Sequence, residues 1–134
     1  MMLSFTGTHR ALTDLQKITV TEFVEQFNPL CVTHGGCIGA DDFFDQWCAD
    51  LGIHRTIYPS NIRGKSLPKN ELLRRGPCTI HEPRPPLIRN EIIVKSGEFL
   101  LACPSENYEV LRSGTWSTVR IARRLGVKYT VINP

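Results

Sequence analysis

The apolar positions of this chain fall into two alternating patterns. Short runs with the length and content of buried strands are Met2-Leu3-Ser4-Phe5, Leu30-Cys31-Val32-Thr33, Arg55-Thr56-Ile57-Tyr58, Phe99-Leu100-Leu101-Ala102-Cys103 and Tyr129-Thr130-Val131-Ile132. Between them apolar residues recur at helical spacing: Leu12, Leu15, Ile18, Val20, Phe23, Val24 and Phe27, then Phe43, Phe44, Trp47, Cys48 and Leu51 in a helix from about Gly39 to Leu51. A third helix begins near Leu87 and runs through Ile88, Ile92 and Ile93, and a fourth spans Thr115 to Leu125. Asn28-Pro29, Gly52 and Gly126 stand where helices should stop. Strands that alternate with helices require long crossovers, and these give a parallel sheet with helices on both faces.

The expectation is therefore an α/β fold: a single Rossmann-like doubly wound domain over residues 1–134, with a mainly parallel five-stranded sheet. The stretch from Pro59 to Pro86 does not fit the alternation. It is rich in proline and turn formers and contains only a short helical piece around Asn70 to Arg75. It predicts a long loop between strand 3 and the following helix, either covering a ligand or forming a surface insertion.

Composition changes this picture little. A chain of 134 residues with 41% hydrophobic and 22% charged positions suits one core. The net charge of +3 is too small to mark a dedicated nucleic-acid binder, but its distribution is uneven. Arg63, Lys65, Lys69, Arg74, Arg75, Arg84 and Arg89 face only Glu71 and Glu82 between Pro59 and Arg89. The N-terminus lacks the apolar core of a secretory signal and no run approaches membrane-spanning length, which predicts a cytoplasmic protein without membrane contact. The five cysteines include no C-x-x-C pair, and His9, His34, His54 and His81 have no metal-ligand spacing, so neither a disulfide framework nor a metal site is expected. Cys37 lies at a predicted helix start, where a thiolate is favoured; the alternative is a plain turn residue.

In open parallel sheets ligands bind beyond the carboxyl ends of the strands, where loops diverge and helix N-termini converge. Three glycine-containing junctions meet that edge: Thr6-Gly7-Thr8, His34-Gly35-Gly36 and Ser113-Gly114-Thr115. Free backbone N–H groups and small hydroxyls at such turns suit phosphate oxygens. Arg89-Asn90 opens a helix after Pro85-Pro86, from which the arginine fork could reach the strand ends. The candidate ligand-binding set is Gly7, Thr8, Arg10, His34, Gly35, Gly36, Asp41, Arg89, Asn90, Ser113, Gly114 and Thr115. Trp116 and Tyr58 are candidates for stacking on a base, with core packing as the alternative. The chain contains no G-x-x-x-x-G-K-[ST] loop and no G-x-G-x-x-G after strand one, which counts against an ordinary NTPase or a nicotinamide dehydrogenase.

The segments Phe5-Thr6-Gly7-Thr8-His9-Arg10, His34-Gly35-Gly36-Cys37-Ile38-Gly39-Ala40-Asp41, Pro86-Leu87-Ile88-Arg89-Asn90-Glu91 and Arg112-Ser113-Gly114-Thr115 together resemble the SLOG superfamily. That superfamily includes the DNA-processing protein DprA and the LOG phosphoribohydrolases. The resemblance spans most of the chain and is nearest to the small stand-alone members and the central domain of DprA. It implies that these segments line one ligand pocket and that the chain forms a homo-oligomer through its helices; Phe43, Phe44 and Trp47 give one helix more aromatic surface than a small core needs, with a well-filled core as the alternative. LOG enzymes cleave nucleoside monophosphates with an arginine and with a glutamate that follows a Pro-Gly-Gly-x-Gly-Thr-x-x-Glu turn. Arg89 matches the arginine, but Thr118 stands where the glutamate would be, and a threonine cannot act as a carboxylate acid or base. Glu91 and Asp41 are the remaining carboxylates near these segments, and no catalytic residue is assigned.

Three functions follow from the resemblance. The first is binding, without turnover, of a nucleotide or nucleotide-derived ligand, such as an ADP-ribose-type or cyclic nucleotide signal, by a sensor or phage-type sponge in the setting of phage defence. The second is a LOG-like N-glycosidase. The third is single-stranded DNA binding of the DprA kind through the basic loop. None of them calls for a cofactor.

Overall fold

Local sequence sets the helix boundaries. A computed structural model describes all residues, 1–134, with the elements β1 (Met2–Gly7), α1 (Asp14–Phe27), β2 (Cys31–His34), α2 (Ala40–Asp50), β3 (His54–Ile57), α3 (Lys69–Arg75), β4 (Cys78–Ile80), α4 (Pro86–Ser96), β5 (Phe99–Cys103), α5 (Gly114–Leu125) and β6 (Lys128–Val131). Thr13 and Gln16 form a reciprocal capping box that starts α1, and Asn28 ends it in the left-handed conformation just before Pro29. Pro86 sits in the first turn of α4, where its missing N–H costs nothing. Ser113 caps α5 by accepting a hydrogen bond from the Trp116 amide, and Gly126 closes that helix at φ 72°.

The strands form one parallel sheet in the order β4-β3-β2-β1-β5-β6. The chain builds outward from β1 through β2 and β3 to β4, then crosses back to β5 and β6, so the winding reverses between β1 and β5. Side-chain alternation along the strands feeds two cores. Leu3, Phe5, Val32, Leu101 and Cys103 pack with Val20 and Val24 of α1 and with Phe44 and Cys48 of α2. On the opposite face Leu100 meets Val94 of α4 and Ala122 of α5, while Ala102 meets Trp116 and Val119. Ser4 turns to this second face and donates its hydroxyl to the Ile93 carbonyl at 2.6 Å. Gly97 lies so close to Ser4 that a Cβ would overlap it, which seats α4 directly against β1.

Three expectations are corrected here. The sheet has six strands rather than five, and the stretch from Pro59 to Pro86 is not one loop: α3 and β4 interrupt it, and β4 pairs with β3 from Arg55↔Cys78 to Ile57↔Ile80. The physical reason is Arg55, fully buried in β3. Its Nε and Nη2 donate to the two carboxylate oxygens of Asp45, each at 2.9 Å, while the remaining N–H groups donate to the carbonyls of Leu72, Gly76 and Pro77 at 2.7–3.1 Å. A buried guanidinium needs partners for all five donors, and the α3–β4 segment supplies three of them. Phe44 is also no interface residue: it is sealed in the core and stacked on Phe5 with ring centroids 4.1 Å apart, and Phe43 and Trp47 pack half-buried against the same cluster. No helix is long and apolar enough to cross a membrane.

Candidate functional site

A cavity of about 590 Å³ opens at the carboxyl ends of β1 and β5, where the winding of the sheet reverses. Both its position and its size are those of ligand sites in doubly wound folds. Its walls come from five segments: Phe5 to Arg10 at and beyond the end of β1; Gly35, Cys37 and Asp41 from the end of β2 into α2; Ser60, Ile62 and Lys65 after β3; Pro86, Arg89, Asn90 and Ile93 of α4; and residues from Ser105 and Glu106 to Ser113, Gly114 and Thr115 before and into α5.

The centre of the site is the Gly35 region. Arg89 reaches back from α4 so that its Nη1 lies over Gly35, within 3.3 Å of the Gly35 carbonyl, 3.4 Å of the Tyr58 carbonyl and 3.7 Å of Cys37 Sγ. A Cβ at this position would overlap that guanidinium nitrogen, so any other residue would displace the arginine from its present place. Asp41, in the first turn of α2, accepts the Cys37 amide at Oδ2, 3.0 Å away, and the same carboxylate flanks Gly35. Arg89 and Asp41 are 9% and 5% exposed, and each keeps one buried polar atom, Arg89 Nε and Asp41 Oδ1, with no hydrogen-bond partner. Such atoms cost about 1–3 kcal/mol each when unpaired, so they are rare in folded chains.

Beyond this centre, the 12-residue α5 presents its N-terminus to the cavity through Ser113, Gly114 and Thr115. The first amides satisfied in this turn are those of Trp116 and Ser117, both bonded to Ser113; the Gly114 and Thr115 amides are engaged by no other group of the chain. Arg10 and Arg112 are exposed on the rim, with Lys65 on the opposite lip. His9 is held below its usual pKa, first by burial and then by the charge of Lys65.

The structure places Gly7, Thr8, Arg10, Gly35, Asp41, Arg89, Asn90, Ser113, Gly114 and Thr115 on the cavity walls, but not His34 or Gly36. His34 is fully buried and turned to α2; its Nε2 donates to Asp45 at 2.7 Å, while its Nδ1 accepts the Gly36 amide at 2.9 Å. That bond takes the Gly36 amide, one of the two expected to hold phosphate at the β2 turn, and the next amide, that of Cys37, goes to Asp41. Gly7 serves packing as well, since a Cβ there would overlap Ala40. Cys37 is no thiolate: burial, and then the negative charge of Asp41, push its pKa up to about 11. The indole of Trp116 lies in the core and Tyr58 stacks on His81 at 4.3 Å, so neither ring lines the cavity. Thr118 is buried on α5, its hydroxyl donating to the Gly114 carbonyl at 2.8 Å.

Sequence reasoning passed over Ser60, Ile62 and Glu106. Glu106 follows the end of β5 and accepts from Ser105 Oγ at 2.5 Å and Trp116 Nε1 at 3.2 Å. Its position just past a strand's carboxyl end is the signal that could have found it.

No protein-family model matches the chain, and no curated protein matches it. Solved structures do. The chain aligns over 98% of its length with DNA processing protein A from Helicobacter pylori at TM-score 0.70, and over 97% with DprA from Streptococcus pneumoniae at 0.73. The fold is DprA-like. A molybdenum cofactor binding protein from Rippkaea orientalis shares it over 99% of the chain at TM-score 0.71. Identity is 16% in all three, which carries fold and not activity. The chain spans 76% of the cofactor-binding protein, 64% of the H. pylori DprA and 49% of the S. pneumoniae one.

Proposed function

We propose that the chain binds a nucleotide or nucleotide-derived phosphate ester in the cavity between β1 and β5 and does not turn it over. The observation that carries this reading is that one cavity is lined both by Arg89 and Asp41, each with an unpartnered buried atom, Nε and Oδ1, and by Gly114 and Thr115, whose amides are unengaged. A ligand with phosphate at the α5 N-terminus and polar groups toward Gly35 would satisfy all four. Arg10 and Arg112 would add charge at the mouth, and the free arginine donors of Arg89 suit an anionic oxygen. Turnover of the LOG kind is disfavoured because Thr118 is buried and bonded within its own helix. A role as sensor or sponge of an ADP-ribose-type or cyclic nucleotide signal fits such a binder, as does self-association, which light scattering on the purified protein would test.

Mass spectrometry of small molecules released on denaturation, with calorimetric titration of AMP, ADP-ribose and cyclic ADP-ribose into wild type and Arg89→Ala, tests the reading. Micromolar or tighter binding that weakens in Arg89→Ala, with no product formed, supports it. Accumulation of free base would replace it with the glycosidase reading.

Single-stranded DNA binding is the second reading. It is favoured by the exposed cations Arg10, Arg63, Lys65, Arg84 and Arg112 and by the likeness in fold to the H. pylori DprA, a protein with a single-stranded DNA binding mode of its own. Affinity for an oligonucleotide that falls steeply with salt and is indifferent to Arg89→Ala would favour it.

A further inference from the structure

We propose that the chain has a second binding site, behind one lip of the first, which takes a compact uncharged ring compound and, when filled, holds that lip in place. The site is a separate hollow of about 210 Å³ at the carboxyl ends of β3 and β4, beside α3. Ile57 and Leu72, 0% and 2% exposed, lie at its bottom, and the half-buried Leu67 and Ile80 line its walls with Pro59 and Pro83. Gly36 completes the bottom. It sits at φ +67°, a conformation that favours glycine, and a Cβ there would run into Ile57 and point toward Leu72, so at this point bare backbone lines the hollow.

Size and lining decide the class of occupant. An apolar cavity of about 150 Å³ holds benzene, and pockets for drug-sized ligands run from about 300 to 1,000 Å³. At about 210 Å³ the hollow takes one ring or a fused pair and is too small for a nucleotide, whereas the cavity between β1 and β5 has about 590 Å³. Charge does not select for an ion: Lys69 and Glu82 both stand exposed at the rim, and their effects on a charged ligand oppose each other. Water against Leu67, Ile80 and the prolines has few hydrogen-bonding partners, so a ring that displaces it gains the transfer free energy of its apolar surface. The hydroxyls of Ser60 and Ser66 are at hand for one ring N–H or carbonyl.

The lip is what the two cavities share. Ser60, Ile62 and Lys65 line the larger one, and Ser60, Ser66 and Leu67 line the smaller. Backbone bonds tie the lip to the β2–α2 turn, from Leu67 N to Gly36 O and from Ile38 N to Lys65 O, each 2.8 Å. Leu67 belongs to the lip, while Ile80 is fixed in the sheet by its pairing with β3. A ring held between them loses one wall when the lip swings out, so it binds the closed form better than the open one and shifts the balance toward closure. Occupation of the small site thus restrains the mouth of the large one, whatever the large one holds.

Methyl NMR of the Ile- and Leu-labelled full chain tests the site, with indole as the probe and benzoate and benzylamine as its charged counterparts. Indole is expected to shift the methyls of Ile57, Leu67, Leu72 and Ile80 with a Kd of about 1 mM or tighter, and the charged compounds to leave them in place at the same concentration. Ile80→Trp, which fills the hollow, should abolish the indole shifts; nuclear Overhauser effects from indole to the Leu67 and Ile80 methyls of wild type locate the ring without any variant. Trypsin reads the lip through cleavage after Arg63 and Lys65, which should slow about tenfold at an indole concentration ten times Kd, once corrected against an unfolded substrate. Absence of indole binding, shifts that fall elsewhere, or binding that survives Ile80→Trp overturns the site. Equal binding of a charged counterpart overturns the ligand class, and indole binding with unchanged cleavage overturns the hold on the lip.

Discussion

Asp41 and Asp45 sit one turn apart on α2 and are equally hidden, yet their surroundings differ in almost every donor. Asp45 receives His34, both forks of Arg55 and Arg75 Nη1, so both of its oxygens are served. Asp41 receives one backbone amide and keeps an idle oxygen. The two buried arginines divide in the same way: Arg55 spends all five donors on the chain, whereas Arg89 offers a single nitrogen to three distant acceptors. Residue type is thus the same in both clusters and burial nearly so, and the count of partners separates them. A saturated buried cluster holds the fold together; an unsaturated one under a cavity is poised for an outside molecule.

Substitutions in the two clusters should therefore have unlike consequences. The largest effect should come from Asp45→Ala, which strands the Arg55 guanidinium and is expected to cost about 3–5 kcal/mol, a drop in Tm of about 10 °C or more by differential scanning calorimetry. Asp41→Asn should stay within a few degrees of wild type; if the two variants fell equally, partner count would not separate the clusters. Next in size, Arg89→Ala should weaken nucleotide binding by about ten- to a hundredfold by calorimetry while leaving urea unfolding nearly unchanged.

A third effect is pH-dependent. Burial works to raise the Asp45 pKa, but the hydrogen bonds from His34 and Arg55 and the charge of Arg55 overcome it and hold the carboxyl well below the usual range. Its folded value is therefore depressed relative to an unfolded one near 3.9, so the stability it contributes is fully present above about pH 4 and is lost as pH falls toward the folded value. Urea midpoints between pH 7 and pH 2 should fall more steeply in wild type than in Asp45→Asn. The smallest effect is that of Gly114→Ala. A Cβ at Gly114 meets nothing within 4 Å, and the substitution should stabilise α5 by about 0.5–1 kcal/mol, read from the urea midpoint.

Much of the architecture was legible because it depends on neighbours in sequence. Continuous apolar runs marked β1, β2 and β5, and Asn28-Pro29 and Gly126 marked helix ends. What escaped depends on partners far along the chain. β4 is only Cys78–Ile80, preceded by Pro77, and nothing local distinguishes it from a turn; it is held by a buried arginine whose donors are satisfied from the α3–β4 segment some twenty residues later. His34 follows a strand like a site residue should, but the strand end turns it toward Asp45, a contact that the spacing in sequence does not reveal. The cavity walls could be placed in outline because doubly wound topology puts every strand-to-helix loop on one edge. Which of those loops keeps an unsatisfied atom could be seen only once the side chains were in place.

Arg55 has a consequence for how the molecule opens. Because it gathers the carbonyls of Leu72, Gly76 and Pro77 around one guanidinium, the α3–β4 segment cannot peel from the sheet edge without exposing a buried ion pair, and its local opening is tied to unfolding of the whole sheet. The lip at Ser60 to Leu67 has no such anchor; it is held to the β2–α2 turn by the amide bonds Ile38 N to Lys65 O and Leu67 N to Gly36 O. Amide hydrogen exchange should therefore divide this one insertion into a slow outer half, locked to global unfolding, and a fast inner half that breathes at the mouth of the cavity and lets a ligand in and out.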